Sequence, residues 1–210
     1  MRPLYKLYSP SAEDTDGLVN DATGATTPLT QLTTGPGDGL AHQINITSGA
    51  NLSGITFTLT GTDADDVALT EAVTGPNATT VESTGYFKTV TSIAISGTLG
   101  ANTVDLGWVD EFVTPTIQLN TYARGVSANI DVTGTINYTV QATHSDMRTR
   151  VDDGPFNWFD IDDPNIDLIG ITADVAFGMF PIPRAIRIQA NSFSSGATVA
   201  LRMVHTLDFG

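Results

Sequence analysis

The sequence predicts an all-β protein: antiparallel β-sandwich units, jelly-roll or Ig-like, with an extended N-terminal arm. Two observations carry that expectation. In residues 55–107, Ile55-Thr56-Phe57-Thr58-Leu59-Thr60 alternates apolar and polar, turns at Asp63-Ala64-Asp65-Asp66 and returns through Val67, Leu69 and Val73. A second turn at Gly75-Pro76-Asn77 leads into Tyr86-Phe87-Lys88-Thr89-Val90, Ile93 and Ile95. Such a period of two is what a half-buried sheet requires, because successive side chains point to opposite faces. The second observation is composition. The 32 threonines, 20 glycines and 10 prolines favour strands and turns, and 40% apolar residues in ordered runs exclude plain disorder.

Three segments follow along the 210 residues. Residues 1–40 scatter Pro3, Pro10, Pro28 and Pro36 among Thr, Gly and Asp and hold no period for long. They read as an extended arm that orders on the protein body or on a neighbour, with Leu4, Tyr5, Leu7 and Tyr8 as contacts. Residues 41–110 read as a first β-sandwich unit with strands near 42–47, 54–62, 66–74, 79–83, 86–96 and 103–109, and with Trp108 as core or as contact between the halves. Residues 111–210 read as a second unit. Its main strand carries Ile130, Val132, Ile136, Tyr138, Val140 and Ala142 on one parity, with Gly134 as a bulge or a point of close approach. Ile186/Ile188/Ala190 and Val199/Leu201/Met203, joined by residues 191–196, read as a hairpin. A short helix or 3₁₀ turn is expected near 163–169.

Charge narrows the partners. Nine bases stand against 23 acids, a net charge of −14, so there is no basic stripe for a nucleic-acid backbone or an anionic membrane. The absence of cysteine excludes disulfides, thiolate metal sites and cysteine nucleophiles. The N-terminus lacks the apolar core of a signal peptide and no run is long enough to span a membrane, so a chain made in a cytoplasm is expected.

The motifs with the residue types for chemistry mostly fail on spacing. Asp152, Asp153, Asp160, Asp162, Asp163 and Asp167 surround Trp158 and Phe159. Such a cluster offers oxygen ligands for a hard cation, or carboxylates beside an aromatic platform as in glycosidases, but Asp also belongs in turns and at interfaces. Asp63, Asp65 and Asp66 begin like an EF-hand, yet Ala68 stands where Gly is needed and Thr74 where the bidentate Glu belongs; this is a hairpin turn. His42, His144 and His205 have no ligand spacing, and His144-Ser145-Asp146 cannot align as a triad on an extended chain. No nucleophile elbow or phosphate loop is present, so no catalytic residue, cofactor or metal is expected. Arg148, Arg150, Arg184, Arg187 and Arg202 lie near acids and read as Arg–Asp pairs, within the chain or across to a partner subunit, that set orientation more than stability.

Phe57-Thr58-Leu59-Thr60-Gly61-Thr62-Asp63-Ala64-Asp65, Thr74 to Val81, Tyr86 to Ile93, Val132 to Gln141 and Ile182 to Ile188 together resemble β-rich virion proteins of tailed bacteriophages. The resemblance is to a style of structural protein and transfers no site residue. It implies a non-enzymatic virion component, most readily a homo-oligomeric capsid decoration (cement) protein that stabilises the outer shell by bridging subunits of the major capsid protein. A tail, neck/adaptor or fibre-attachment protein is the alternative. Leu4, Tyr5, Leu7, Tyr8, Arg148, Arg150, Trp158, Phe159 and Arg184 are the expected interface residues. A carbohydrate-binding module, resting on Trp158 and its acids, is the rival of another class.

Overall fold

The computed structural model describes residues 3–25, 27–120, 125–145, 156–163 and 166–206. Every regular element among them is a β-strand and every pairing is antiparallel, as expected of an all-β sandwich protein. The chain forms two compact units: a terminal unit, Met1–Pro10 with Thr114–Gly210, and an inserted unit, Ser11–Val113. The terminal unit begins with β1 (Leu4–Tyr8). The inserted unit follows with β2 (Asp14–Gly24), β3 (Ala41–Thr47), β4 (Thr56–Thr62), β5 (Ala68–Thr74), β6 (Thr80–Phe87), β7 (Thr89–Ile95) and β8 (Gly100–Val113). The terminal unit resumes with β9 (Ile117–Gln118), β10 (Gly125–Thr133), β11 (Ile136–Thr143), β12 (Phe159–Asp160) and β13 (Asp162–Asp163). It ends with β14 (Ile166–Asp167), β15 (Val175–Met179), β16 (Ala185–Phe193) and β17 (Thr198–Thr206).

In the inserted unit, β2, β8, β3 and β6 form one sheet and β5, β4 and β7 another. Both supply one core: Leu18, Val19, Ile44, Ile46, Leu106 and Trp108 from the first meet Phe57, Leu59, Val73, Val90, Ile93 and Ile95 from the second. Burying each such side chain contributes about 1.5–3 kcal/mol. Val90 and Ile93 differ in parity yet both point inward, because the register of β7 on β4 shifts between Thr60 and Gly61. Only glycine fits at that bulge, since a Cβ on Gly61 would run into the Thr89 carbonyl. The Asp63 turn is the expected hairpin connection: Asp63 Oδ1 accepts from the Asp65 and Val67 amides at 2.9 and 3.0 Å.

The expected arm and its boundary at residue 40 give way to this division. Residues 1–10 belong to the terminal unit, where β1 pairs with β17, and residues 11–40 belong to the inserted unit. Leu18, Val19, Leu29 and Leu40 are buried there. The periodicity of Leu18 and Val19 is invisible in sequence because β2 loses register against β8 three times, between Asp14 and Val19, Val19 and Ala22, and Ala22 and Gly24. The other boundary falls at Val113/Thr114, and Trp108 is a core residue of the inserted unit whose Nε1 donates to the Ala12 carbonyl.

In the terminal unit, one sheet runs β1-β17-β10-β15; a second places β12 beside β11, β11 beside β16 and β9 beside β16. The expected long strand is two strands in different sheets, β10 and β11, broken at Gly134 (φ 79°). A Cβ there would sit 3.1 Å from Ala197 Cα, so the expectation of close approach holds. The expected hairpin of residues 186–203 is likewise a crossing from β16 in one sheet to β17 in the other. The two corners lie side by side, laced by Thr135 and Ser194: the Ser194 amide donates to the Thr135 carbonyl, and the Thr135 amide to Ser194 Oγ. Alternation alone cannot tell such a corner from a hairpin, because both strands keep an apolar face. The short helix expected near 163–169 is the small β13–β14 pair.

Candidate functional site

The terminal unit presents two contrasting faces. On the sheet β1-β17-β10-β15, Leu201 and Met203 point inward and are buried, which turns their neighbours outward. Register places Tyr5 beside Arg202 and Asn129, and Leu7 beside Ala200 and Asp131. Tyr5, Leu7 and Val204 are 54%, 55% and 47% exposed. Arg202 pairs with Asp131 and lies over the Tyr5 ring, 5.4 Å from its centroid. Being well exposed, that pair orients the surface more than it stabilises it. Leu4 and Tyr8 are half-buried. Burial pushes the Tyr8 phenol up, and its hydrogen bond with Thr114 works the other way.

Phe180, 86% exposed, stands with Gly125, Val126, Ser127, Gly178 and Met179 around an open hollow of about 350 Å³ at the β10–β15 end of the same sheet. Val204 is the register partner of Ser127, which in turn pairs with Gly178, so this hollow adjoins the exposed apolar row.

The second face belongs to β11 and β16. Inward residues Tyr138, Val140, Ile186 and Ile188 are fully buried. Burial pushes the Tyr138 hydroxyl up, the Asp174 carboxylate adds to this, and the hydroxyl donates to the Ala173 carbonyl. The outward parity carries Asn137, Thr139 and Gln141 on one strand and Arg187, Gln189 and Asn191 on the other, with Thr139 buried and its Oγ1 accepting from the Gly170 amide. Arg187 Nε donates to Gln141 Oε1 at 2.7 Å, and Gln141 Nε2 to Asp160 Oδ1 at 2.9 Å. Asn191 Nδ2 donates to Asn137 Oδ1 at 2.8 Å. Trp158 caps one end: the Arg187 guanidinium lies 4.4 Å from its ring centroid, and Phe156 meets it edge-on. Phe159, 42% exposed, stacks with His144 at 5.3 Å on the other side of β12.

Among the expected interface residues, the structure therefore gathers Tyr5 and Leu7 on one face and Trp158 on the other. Phe159 sits at the edge of the second sheet, and Arg184 is exposed, its amide bonded to the Thr143 carbonyl. Arg148, Arg150, Asp152 and Asp153 lie outside the described residues. Of the remaining acids, Asp160 serves Gln141 and Asp167 Oδ1 accepts from the Ile169 amide, which is turn chemistry. Among the described residues no group of three His, Asp or Glu converges on a point. His205 accepts from the Asn120 amide, while His42 is a buried residue of the inserted unit. The alternation Asn137/Thr139/Gln141 and Arg187/Gln189/Asn191 was visible in the sequence as the polar half of two apolar strands; what could not be read was that the two strands are neighbours.

The fold and its faces define an all-β, antiparallel, sandwich-type protein. No family model and no curated protein matches the chain. Among solved structures it is similar to the major capsid protein P2 from bacteriophage PM2, at 9% identity over 99% of both chains with a TM-score of 0.21. A likeness at that level carries no argument about function.

Proposed function

We propose that the chain is a non-enzymatic structural protein of a phage particle, and within it a capsid decoration (cement) protein bridging capsid subunits on the outer shell. The observation that carries this reading is the outer face of the β1-β17-β10-β15 sheet. Tyr5, Leu7 and Val204 stand exposed on paired strands, with Phe180 beside them. A cluster of exposed apolar side chains on a rigid platform suits a protein contact, and aromatic and Arg residues are the usual anchors of one. The Arg202–Asp131 pair within the face would set register against the major capsid protein or a second copy. A net charge of −14 suits a surface turned away from packaged DNA. The resemblance of residues 57–65, 74–81 and 132–141 to phage virion proteins supports the same reading.

The test is to locate and count the protein in purified particles, with the Tyr5→Ser/Leu7→Ser variant alongside. Copies in the hundreds on the head, and a folded variant absent from particles, are expected. A small ring-sized copy number would move the protein to the tail or neck. Absence from particles, or normal incorporation of the variant, would overturn the reading.

A further inference from the structure

We infer that copies of this chain join head to tail by strand addition, the free margin of β1 in one copy pairing with the free margin of β15 in the next. The inference concerns the margins of the sheet whose outer face carries the reading above, and it stands whatever that face contacts. In the order β1-β17-β10-β15 every pairing is antiparallel, so β1 and β15 run in opposite directions at the two ends. Among the described residues β1 pairs only with β17, and β15 only with β10. Each margin therefore offers a row of amides and carbonyls to an incoming strand. A rotation that preserves strand direction lays β15 of one copy beside β1 of the next as an antiparallel pair, and repeating it continues the sheet.

Both strands are five residues long, Leu4–Tyr8 and Val175–Met179, and their side chains match in the register that overlaps them fully. Tyr5 then lies beside Gly178 and Leu7 beside Ala176 on the outer face, large against small. On the inner face Leu4 meets Met179 and Tyr8 meets Val175, so the apolar layer runs on between copies. Gly178 is the residue that points to a partner. Glycine inside a strand weakens it and often marks a site where another backbone or a ligand comes close. Among the described residues nothing in the copy itself requires it. Its φ lies outside the left-handed region, and a Cβ there would meet only the Val126 carbonyl oxygen, at an ordinary 3.7 Å. With Ser127 and Phe180 it frames the hollow of about 350 Å³, where the Tyr5 ring of the next copy falls. Lys6 selects the pairing. Two β1 strands fully overlapped would set Lys6 against Lys6, and like charges directly opposite repel. β15 carries no charge and follows the exposed Asp174, so it accepts Lys6, whose stem lies along Phe177 with its ammonium in water.

The chain has no cysteine, so single cysteines report which strands meet. Leu7→Cys and Ala176→Cys are made separately in the full chain and oxidised mildly, each alone and the two in mixture. The mixture should give a disulfide-linked pair that neither variant gives alone, because directly opposed strand residues stand within disulfide reach. Leu7→Cys mixed with Thr70→Cys, an exposed position of the inserted unit, supplies the collision background. With Gly178→Val added, its fold checked by circular dichroism, the yield of the linked pair should fall about tenfold or more. No linked pair above the background overturns the inference, as does a yield indifferent to Gly178→Val. Leu7→Cys linking to itself as readily as to Ala176→Cys also overturns it, in favour of a two-fold contact between β1 strands. The readouts are taken in solution, so they fail or succeed independently of the copy number in particles.

Discussion

Asp38 shows what an acidic chain with few bases does with its carboxylates. Its side chain is almost fully buried, and it accepts from His42 Nε2 at 2.9 Å and from the Ser11 and Leu40 amides at 2.8 and 2.9 Å. Burial by itself would raise its pKa; the His42 bond, the two amides and the His42 charge outweigh burial, and the carboxyl ends below its ordinary value. Asp105, Asp110, Asp174 and Glu71 also accept backbone amides, from Asp21, Glu13, Val132, and Thr84 with Gly85. Much of the acidity is thus spent satisfying irregular backbone rather than attracting a cation. With the folded-state pKa lowered, the stability linked to Asp38 is fully present above the ordinary carboxylate range near pH 4 and is lost as pH falls through the folded value. Asp38→Asn is therefore expected to cost about 1–3 kcal/mol near neutral pH and to flatten the acid limb of the stability curve. Urea unfolding across the acid range checks both.

Element by element, the sequence was most legible where strands are regular. The strands expected at 42–47, 54–62 and 66–74 correspond to β3, β4 and β5 with ends moved by a residue or two. It was least legible in β2, whose lost register hides Leu18 and Val19 inside a stretch rich in Gly and Asp. The site followed the same rule: Trp158 stands out as a residue, but its placement over Arg187 depends on strand pairing that no local pattern encodes. An arm over residues 1–40 would be dispensable for folding, and deletion of that stretch tests the point. That deletion removes Leu18, Val19, Leu29 and Leu40, each contributing about 1.5–3 kcal/mol on burial, from a chain whose total stability is on the order of 5–15 kcal/mol. Deletion of 1–40 should abolish folding. Removal of residues 1–8 alone, an edge strand, should leave a folded protein that melts a few degrees lower. Circular dichroism melts of the two truncations distinguish these outcomes.

Across the whole molecule, the chain enters the terminal unit, leaves it after ten residues, completes the inserted unit and returns. The inserted unit is continuous in sequence and owns a core fed by two sheets. Residues 11–113 expressed alone should therefore fold, giving a dispersed amide spectrum and a cooperative melt; a molten, poorly dispersed spectrum would contradict this. The terminal unit is discontinuous, β1 being separated in sequence from its other strands by the whole inserted unit. Its two corners, at Gly134 and at Ser194 to Ala197, add a mechanical consequence. Covalent backbone passes from one sheet to the other twice, side by side, with hydrogen bonds between the crossings. Sheets joined in this way cannot slip past each other at that end, much as two pages cannot slide at the spine of a book. A load pulling them apart at that end is borne by peptide bonds.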